Sequence, residues 1–290
     1  MKRLYALILV ATLAITSLVS CGNKKEKFDM TSVNSIADLT GATIAAQTGT
    51  FHIDALTSQT TGVNVREYPD FTQLLVALNS GAIDGYVAEE PTAYAVIEKN
   101  PNLAYVPLKN NDTGFTASSE DTGIAIAFQK GSAYVPDMNI LLAKISEETR
   151  AKLMQQVVTI SANPDVAINE QLVLASSNAD TSKGTLRIAM ECAYAPFNWS
   201  QTTNANGAVK IANSELYANG YDVQIAKFVA AELGLKLEIY AADWDSLIPG
   251  VQAGTYDGII AGMSPTAERK NQVDFTDCYY NSNLVIIYKK

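Results

Sequence analysis

The chain has 290 residues, 48 % apolar and 18 % charged, a composition that supports a packed globular protein and excludes a disordered one. Its 30 acidic residues against 21 basic ones give a net charge of −9, which argues against a nucleic-acid partner because phosphate contacts need a basic face.

Met1-Lys2-Arg3 is a short basic start, and Leu4–Val19 is an apolar run of signal-peptide size. The run ends in Leu18-Val19-Ser20-Cys21, which resembles a bacterial lipobox. That resemblance implies a signal peptide over residues 1–20, diacylglycerol on Cys21 and a lipid-anchored tether over residues 21–33. The expected location is the extracytoplasmic side of the cell membrane, since acyl chains bury favourably in lipid. The other two cysteines, Cys192 and Cys278, are read either as a disulfide or as two free thiols. With Cys21 set aside as a lipid-attachment residue, Cys192, Cys278 and a single histidine are too few for the four ligands of a structural zinc site, and neither a metal nor a cofactor is expected.

Residues 34–122 read as alternating strands and helices. Ala45–Leu56, AAQTGTFHIDAL, passes from an apolar run through Gln47-Thr48-Gly49-Thr50 into a helix. His52 falls in the first turn of that helix and is read as a packing or pocket-rim residue. Asp70-Phe71-x-x-Leu74 opens an apolar-periodic helix that Gly81 ends, and Asp84-Gly85 leads into the short run Tyr86–Ala88. Gly123–Lys130 reads as a strand, Asp137–Val158 as amphipathic helix, and Thr159–Gly184 as a polar connector, helical in part over Val166–Leu174. Thr185–Met190, TLRIAM, starts a second alternating segment. There Asp243-Trp244, Leu247, Gly254, Asp257-Gly258 and Ala261 repeat the earlier Asp70-Phe71, Leu74, Gly81, Asp84-Gly85 and Ala88 at one constant offset. Ser264-Pro265 reads as a helix N-cap with proline at the first helical position, and Arg269 follows one turn on. Leu284–Lys290 is a final strand. The echo implies two lobes built alike, each α/β with a largely parallel sheet and a ligand crevice beyond the carboxyl ends of the strands.

AAQTGTFHIDAL and Ala261–Tyr280, AGMSPTAERKNQVDFTDCYY, resemble segments of the extracytoplasmic solute-binding proteins of ABC transporters for polar amino acids, the family 3 type. In that family the second segment lies in lobe one and the first opens lobe two, the reverse of the order here. The resemblance therefore implies a circularly permuted two-lobed, periplasmic-binding-protein-like (type II) α/β fold with its cleft between the lobes. On this reading residues 34–122 are lobe two, and residues 123–158 are a hinge strand with closing helices that pack on lobe one. Residues 159–184 are the connector, and residues 185–290 are lobe one. One hinge strand is expected to be continuous at Gly123–Lys130 and the other cut where Lys290 meets the region of Thr31.

The same resemblance assigns a site. Ser264 and Arg269 match residues that bind the ligand α-carboxylate, with Thr48, Gly49 and Thr50 adding donors from the opposite lobe. Glu89 stands where the family places an aspartate for the α-ammonium, and the Gly262 carbonyl is the second acceptor. Tyr194 and Trp244 match rings that sandwich the ligand side chain, and Glu191 matches an acidic residue at its tip. Phe197 and Trp199 are read as core or rim, and Gln47 occupies a position that varies with specificity. An acidic residue beside two rings suits a cationic tip, so lysine, arginine or ornithine leads and glutamine follows. The implied partners are an amino-acid ligand, an ABC permease with a separate ATPase, and the membrane through the lipid; the chain is read as a monomer. The sequence contains no Walker loop, G-x-S-x-G or H-E-x-x-H motif, and a non-enzyme is expected. A dehydratase-like enzyme on the same fold and a sensor for a kinase or chemoreceptor are the rival readings.

Overall fold

The computed structural model describes residues 28–168, 171–174 and 181–290. The expected signal peptide and Cys21 lie outside the described residues, as does part of the connector. The chain runs β1 (Thr43–Gln47), α1 (Phe51–Gln59), β2 (Asn64–Tyr68), α2 (Phe71–Ser80), β3 (Gly85–Glu89), α3 (Glu90–Lys99) and β4 (Leu103–Val106). Helix α2 shows how locally these elements are specified. The Asp70 side chain accepts from the Gln73 N–H at its start, Phe71, Leu74 and Leu78 bury one face, and Gly81 ends it in the left-handed region at φ 76°. Next come β5 (Gly123–Ile124), β6 (Ala127–Phe128), α4 (Tyr134–Leu142) and α5 (Glu147–Ala162).

After the connector the chain forms β7 (Thr185–Met190), β8 (Ala193–Tyr194), β9 (Asn198–Gln201), β10 (Val209–Lys210), β11 (Tyr217–Asn219), α6 (Tyr221–Leu233) and β12 (Lys236–Ala241). A 3-10 turn at Trp244–Ser246 leads into α7 (Leu247–Gln252), then β13 (Gly258–Ile259), α8 (Ala267–Lys270), β14 (Asp274–Phe275), β15 (Tyr280–Asn281) and β16 (Leu284–Lys289).

Two five-stranded sheets share one topology. One is ordered β2-β1-β3-β16-β4 and the other β12-β7-β13-β6-β14. In each, the first strand pairs parallel with its two neighbours, and the fourth place is filled by an antiparallel strand that arrives from the other lobe. The repeated Asp-Gly explains how both sheets admit that strand. Asp84 Oδ2 accepts from the Thr43 N–H at 2.8 Å and Asp257 Oδ2 from the Arg187 N–H at 2.7 Å, tying off the first strand of each sheet. A side chain at Gly85 would collide with Ile286 of β16, and one at Gly258 with Phe128 of β6. Glycine is required where the incoming strand lies against the sheet.

Three expectations change. Residues 284–289 do not stay in lobe one, because β16 needs the edges of both β3 and β4 to pair its backbone. The lobe boundary therefore falls near residues 281–284 rather than at 290. The expected cut in the hinge is not there either. Antiparallel β5 and β15 form a two-stranded link, the chain crosses unbroken through both, and Lys290 donates its N–H to Asn102 O at 3.0 Å beyond the crossing. Finally, the closing helices do not pack on lobe one alone: α4 rests on α6, whereas α5 lies against both α6 and α3 of lobe two.

The described part of Val166–Leu174 holds no helix. Side chains satisfy this segment instead: Gln156 Oε1 accepts from the Leu172 N–H at 2.8 Å, and Asn206 Nδ2 donates to Pro164 O and Val166 O. A small second core unites Met30, Val33, Leu108 and Phe115, and both Phe28 and Tyr288 pack against it.

Candidate functional site

Gln47 ends β1 and Glu89 ends β3, while Glu191 follows β7 and Gly262 lies shortly after β13. The carboxyl ends of the strands of both sheets thus face one crevice, where ligand sites of α/β sheets form. Gln47, Thr50 and Glu89 line it from lobe two; Tyr194, Trp244, Gly262, Ser264 and Arg269 line it from lobe one.

Arg269 is only 8 % exposed. Its Nη1 donates to Ser264 O and its Nη2 crosses the lobes to Gly49 O, both at 2.9 Å, and the guanidinium sits 5.2 Å from the Trp244 ring. Burial pulls its pKa down to about 10, opposed by Glu268, Asp54 and Glu89, so it remains cationic at neutral pH. Among the described residues no carboxylate lies within 4.0 Å of it. Asp274, a nearby candidate, is taken by Lys130 at 2.8 Å. A buried cation held only by carbonyl oxygens is a poor ion pair and a good anion receptor.

Ser264 does not cap a helix. Thr266 is the cap, accepting from the Arg269 N–H at 3.4 Å, and α8 begins only at Ala267. Thr266 sits closer to the first free N–H groups than Ser264, and with four residues α8 offers no useful dipole to a carboxylate. Thr48 turns away from the crevice, its N–H and hydroxyl both donating to Tyr68 O. Thr50 lines the crevice and donates its hydroxyl to Gln47 O at 2.6 Å. Gly49, at φ +69°, turns its carbonyl toward Arg269 and toward Trp244 Nε1, which donates at 3.3 Å.

Two carboxylates complete the polar set. Glu89 is 5 % exposed; its Oε1 lies 3.1 Å from His52 Nε2, and its Oε2 is buried without a partner. Glu191 Oε1 accepts from Gln47 Nε2 across the lobes at 2.8 Å, and its Oε2 is likewise buried and unpartnered. Burial first, then Asp70, pushes the Glu191 carboxyl up to about 7; the Gln47 hydrogen bond opposes this, and Asp243 and Asp245 add to it.

Tyr194 and Trp244 both line the crevice. The Tyr194 ring stacks on Phe71 of lobe two, centroids 4.0 Å apart and planes 16° from parallel, with Gly262 behind it. A Cβ at Gly262, which sits at φ +64°, would come within 3.0 Å of the Tyr194 ring. Phe71 is thus a crevice residue that site reasoning missed, although the echo had matched it to Trp244. With these rings in contact the inner pocket holds about 20 Å³, room for a water and far too little for an amino acid. Entry requires parting Phe71 from Tyr194 and Gln47 from Glu191. A wider hollow of about 560 Å³ lies outside Arg269, bordered by Asp54, Asp245 and Glu268.

A buried network braces the lobe-one loops. Asp222 accepts from Asn198 Nδ2 at 2.8 Å and from the Tyr279 hydroxyl at 2.7 Å, while Asn198 Oδ1 accepts from the Cys192 N–H at 2.7 Å. It ties the Glu191–Tyr194 loop to α6 and to the approach to the hinge. Burial raises the Asp222 carboxyl to about 6, against its hydrogen bonds. Cys192 and Cys278 are both free thiols, and burial drives the former up to about 12. Among the described residues no cluster of three metal-ligating side chains occurs, and no helix is long and apolar enough to cross a membrane.

Residues 186–290 match the family model of the bacterial extracellular solute-binding proteins, family 3. The chain is 34 % identical over 117 residues to the arginine-binding extracellular protein ArtP of Bacillus subtilis (strain 168), an overlap of 40 % of this chain and 41 % of that one. It is 38 % identical over 79 residues to ABC transporter arginine-binding protein 1 of Escherichia coli (strain K12), covering 27 % and 32 %. The chain therefore spans about two fifths or less of the length of these curated relatives. A solved structure of an ancestral arginine-binding protein bound to arginine is 40 % identical over 34 % of this chain and 38 % of its own, with a TM-score of 0.28.

Proposed function

We propose that the chain, whose residues 186–290 match the family model of the bacterial extracellular solute-binding proteins, family 3, is a two-lobed receptor for a cationic amino acid, which it delivers to an ABC permease. One observation carries the reading. The crevice holds the buried Arg269 guanidinium, with no carboxylate partner among the described residues, together with the buried Glu89 and the half-buried Glu191, each of which keeps one buried oxygen free. A ligand with one carboxylate and two cationic ends, such as arginine, lysine or ornithine, complements all three groups. Arg269 takes the α-carboxylate, Glu89 the α-ammonium and Glu191 the side-chain tip. The two relatives described above carry arginine in their names, in agreement with this choice. Closure follows if the ligand binds the closed form better than the open one.

The remaining parts of the reading concern placement in the cell and chain order. The lipobox-like segment supports export and anchoring through a lipid on Cys21. Circular permutation is supported by the lobe order together with the packing of Phe28 and Tyr288 against one small core. Titration calorimetry with the twenty amino acids tests the function. Binding of L-arginine or L-lysine, lost by at least a hundredfold in Arg269→Ala, is expected. No binding by any of them would refute the receptor.

A second reading has one observation in its favour. A buried carboxyl near pKa 7 in a closed crevice suits general acid catalysis, as a dehydratase-like enzyme would need. Turnover of prephenate or arogenate would establish it.

A further inference from the structure

We infer that His52 is a positioning residue for the ligand ammonium, acting through Glu89; this rests on the receptor reading above. His52 sits in the first turn of α1 and is 6 % exposed. Its one hydrogen bond among the described residues is the 3.1 Å contact from Nε2 to Glu89 Oε1, and its Nδ1 is buried without a partner. A carboxylate oxygen is the natural acceptor of this pair, and Nε2 is assigned as its donor. The carboxylate torsion of a glutamate is broad, so an unheld Glu89 would sample many orientations. The imidazole occupies Oε1 and leaves Oε2 as the oxygen that meets the ligand.

Gln47 treats Glu191 in the same way, donating to Oε1 and leaving Oε2 free. Both holders lie on one six-residue segment, Gln47–His52, at the mouth of α1. That segment aims the two carboxylates that a dibasic ligand requires. The alternative is that the imidazole only fills space beneath the crevice, and the two roles separate experimentally.

The test is calorimetric titration of L-arginine into the full chain and four variants, His52→Phe, His52→Gln, Glu89→Gln and the Glu89→Gln/His52→Phe double. His52→Phe keeps a ring of similar width without a donor, and should weaken binding about tenfold to a hundredfold, the range for a hydrogen bond to a charged group. His52→Gln, whose amide can donate from nearly the same point, should recover most of that loss. In a Glu89→Gln background, His52→Phe should cost less than about threefold, because the group it orients is already neutral. Equal losses in both backgrounds, or failure of glutamine to restore more binding than phenylalanine, would overturn the proposal. If the unaltered chain binds no amino acid, the receptor reading itself fails. If it binds and the His52→Phe and His52→Gln variants match it, only the role of His52 fails.

Discussion

The two lobes share a sheet order and an Asp-Gly device, yet they hold their crevice residues by different means. Lobe one rests Glu191, Tyr194 and Gly262 on buried scaffolding centred on Asp222, Asn198 and Tyr279. Lobe two has no such pillar among its crevice residues. His52 holds Glu89 within lobe two, and Gln47 Nε2 donates both to Pro69 O of its own lobe and across the crevice to Glu191. Lobe one is therefore braced by a buried polar network, whereas lobe two holds its crevice residues by separate contacts, of which that from Gln47 to Glu191 forms only on closure.

The strongest way to break this contrast is Asp222→Ala. It strands Asn198 Nδ2 and the Tyr279 hydroxyl in the core and should cost about 3 kcal/mol in urea-induced unfolding, with ligand affinity falling as well. A stable variant with normal binding would mean that lobe one is not braced as described. The shared Asp-Gly sharpens the other half of the comparison. Asp84→Ala and Asp257→Ala should each cost about 2 kcal/mol by the same measurement and agree within about 1 kcal/mol. Asp257 also pairs with the Arg187 guanidinium at 2.6 Å, but that pair is partly exposed and adds little. A gap of several kcal/mol would show that the echo is not one device used twice.

pH probes Glu191, whose carboxyl stands at about 7 against an ordinary 4.5. A carboxyl raised in this way holds its proton in the fold, so its contribution to the unliganded protein is complete below about 4.5 and is lost as pH rises through about 7. A cationic ligand has the opposite preference because it needs the ionised form. The Kd for L-arginine should therefore fall by up to about tenfold per unit from pH 5 to 7 and level off above, whereas that for L-glutamine should change little. Parallel curves for both ligands would remove Glu191 from the side-chain tip. The smallest effect expected is at Phe71. Replacing it with alanine removes a cross-lobe stack worth about 1 kcal/mol, and small-angle scattering of the unliganded chain should show a larger radius of gyration. An unchanged radius would mean that the stack does not help to hold the lobes together.

Much of this was legible in the residues because the signals are local. Asp70, Leu74 and Gly81 specify α2 within one turn of where they stand, and the Asp-Gly repeat announced two sheets of one pattern. The candidate site was legible as a set, with Arg269, Glu89, Glu191 and Tyr194 gathered in one crevice. What stayed hidden depends on contacts distant in sequence. Nothing near residue 284 says that β16 will enter between β3 and β4, and nothing near Phe71 says that it will meet Tyr194. Nothing in the sequence around Asp222, at the start of α6, says that Asn198 and Tyr279 will close around it. Ser264 failed for a different reason: two hydroxyl residues flank Pro265, and the choice of cap turns on geometry that composition does not encode.

The exchange of strands between the sheets has a consequence for synthesis. On the ribosome β3 and β4 emerge early, but β16, the strand that joins them, appears only after the whole of lobe one has been made. Until then both carry an unpaired edge, the kind of edge that recruits strands from other chains. The nascent protein should therefore lean on a holding chaperone for most of its elongation. Chains halted after Asn281 should be cut readily by protease within residues 85–106, and resistance there would show that lobe two closes without its borrowed strand.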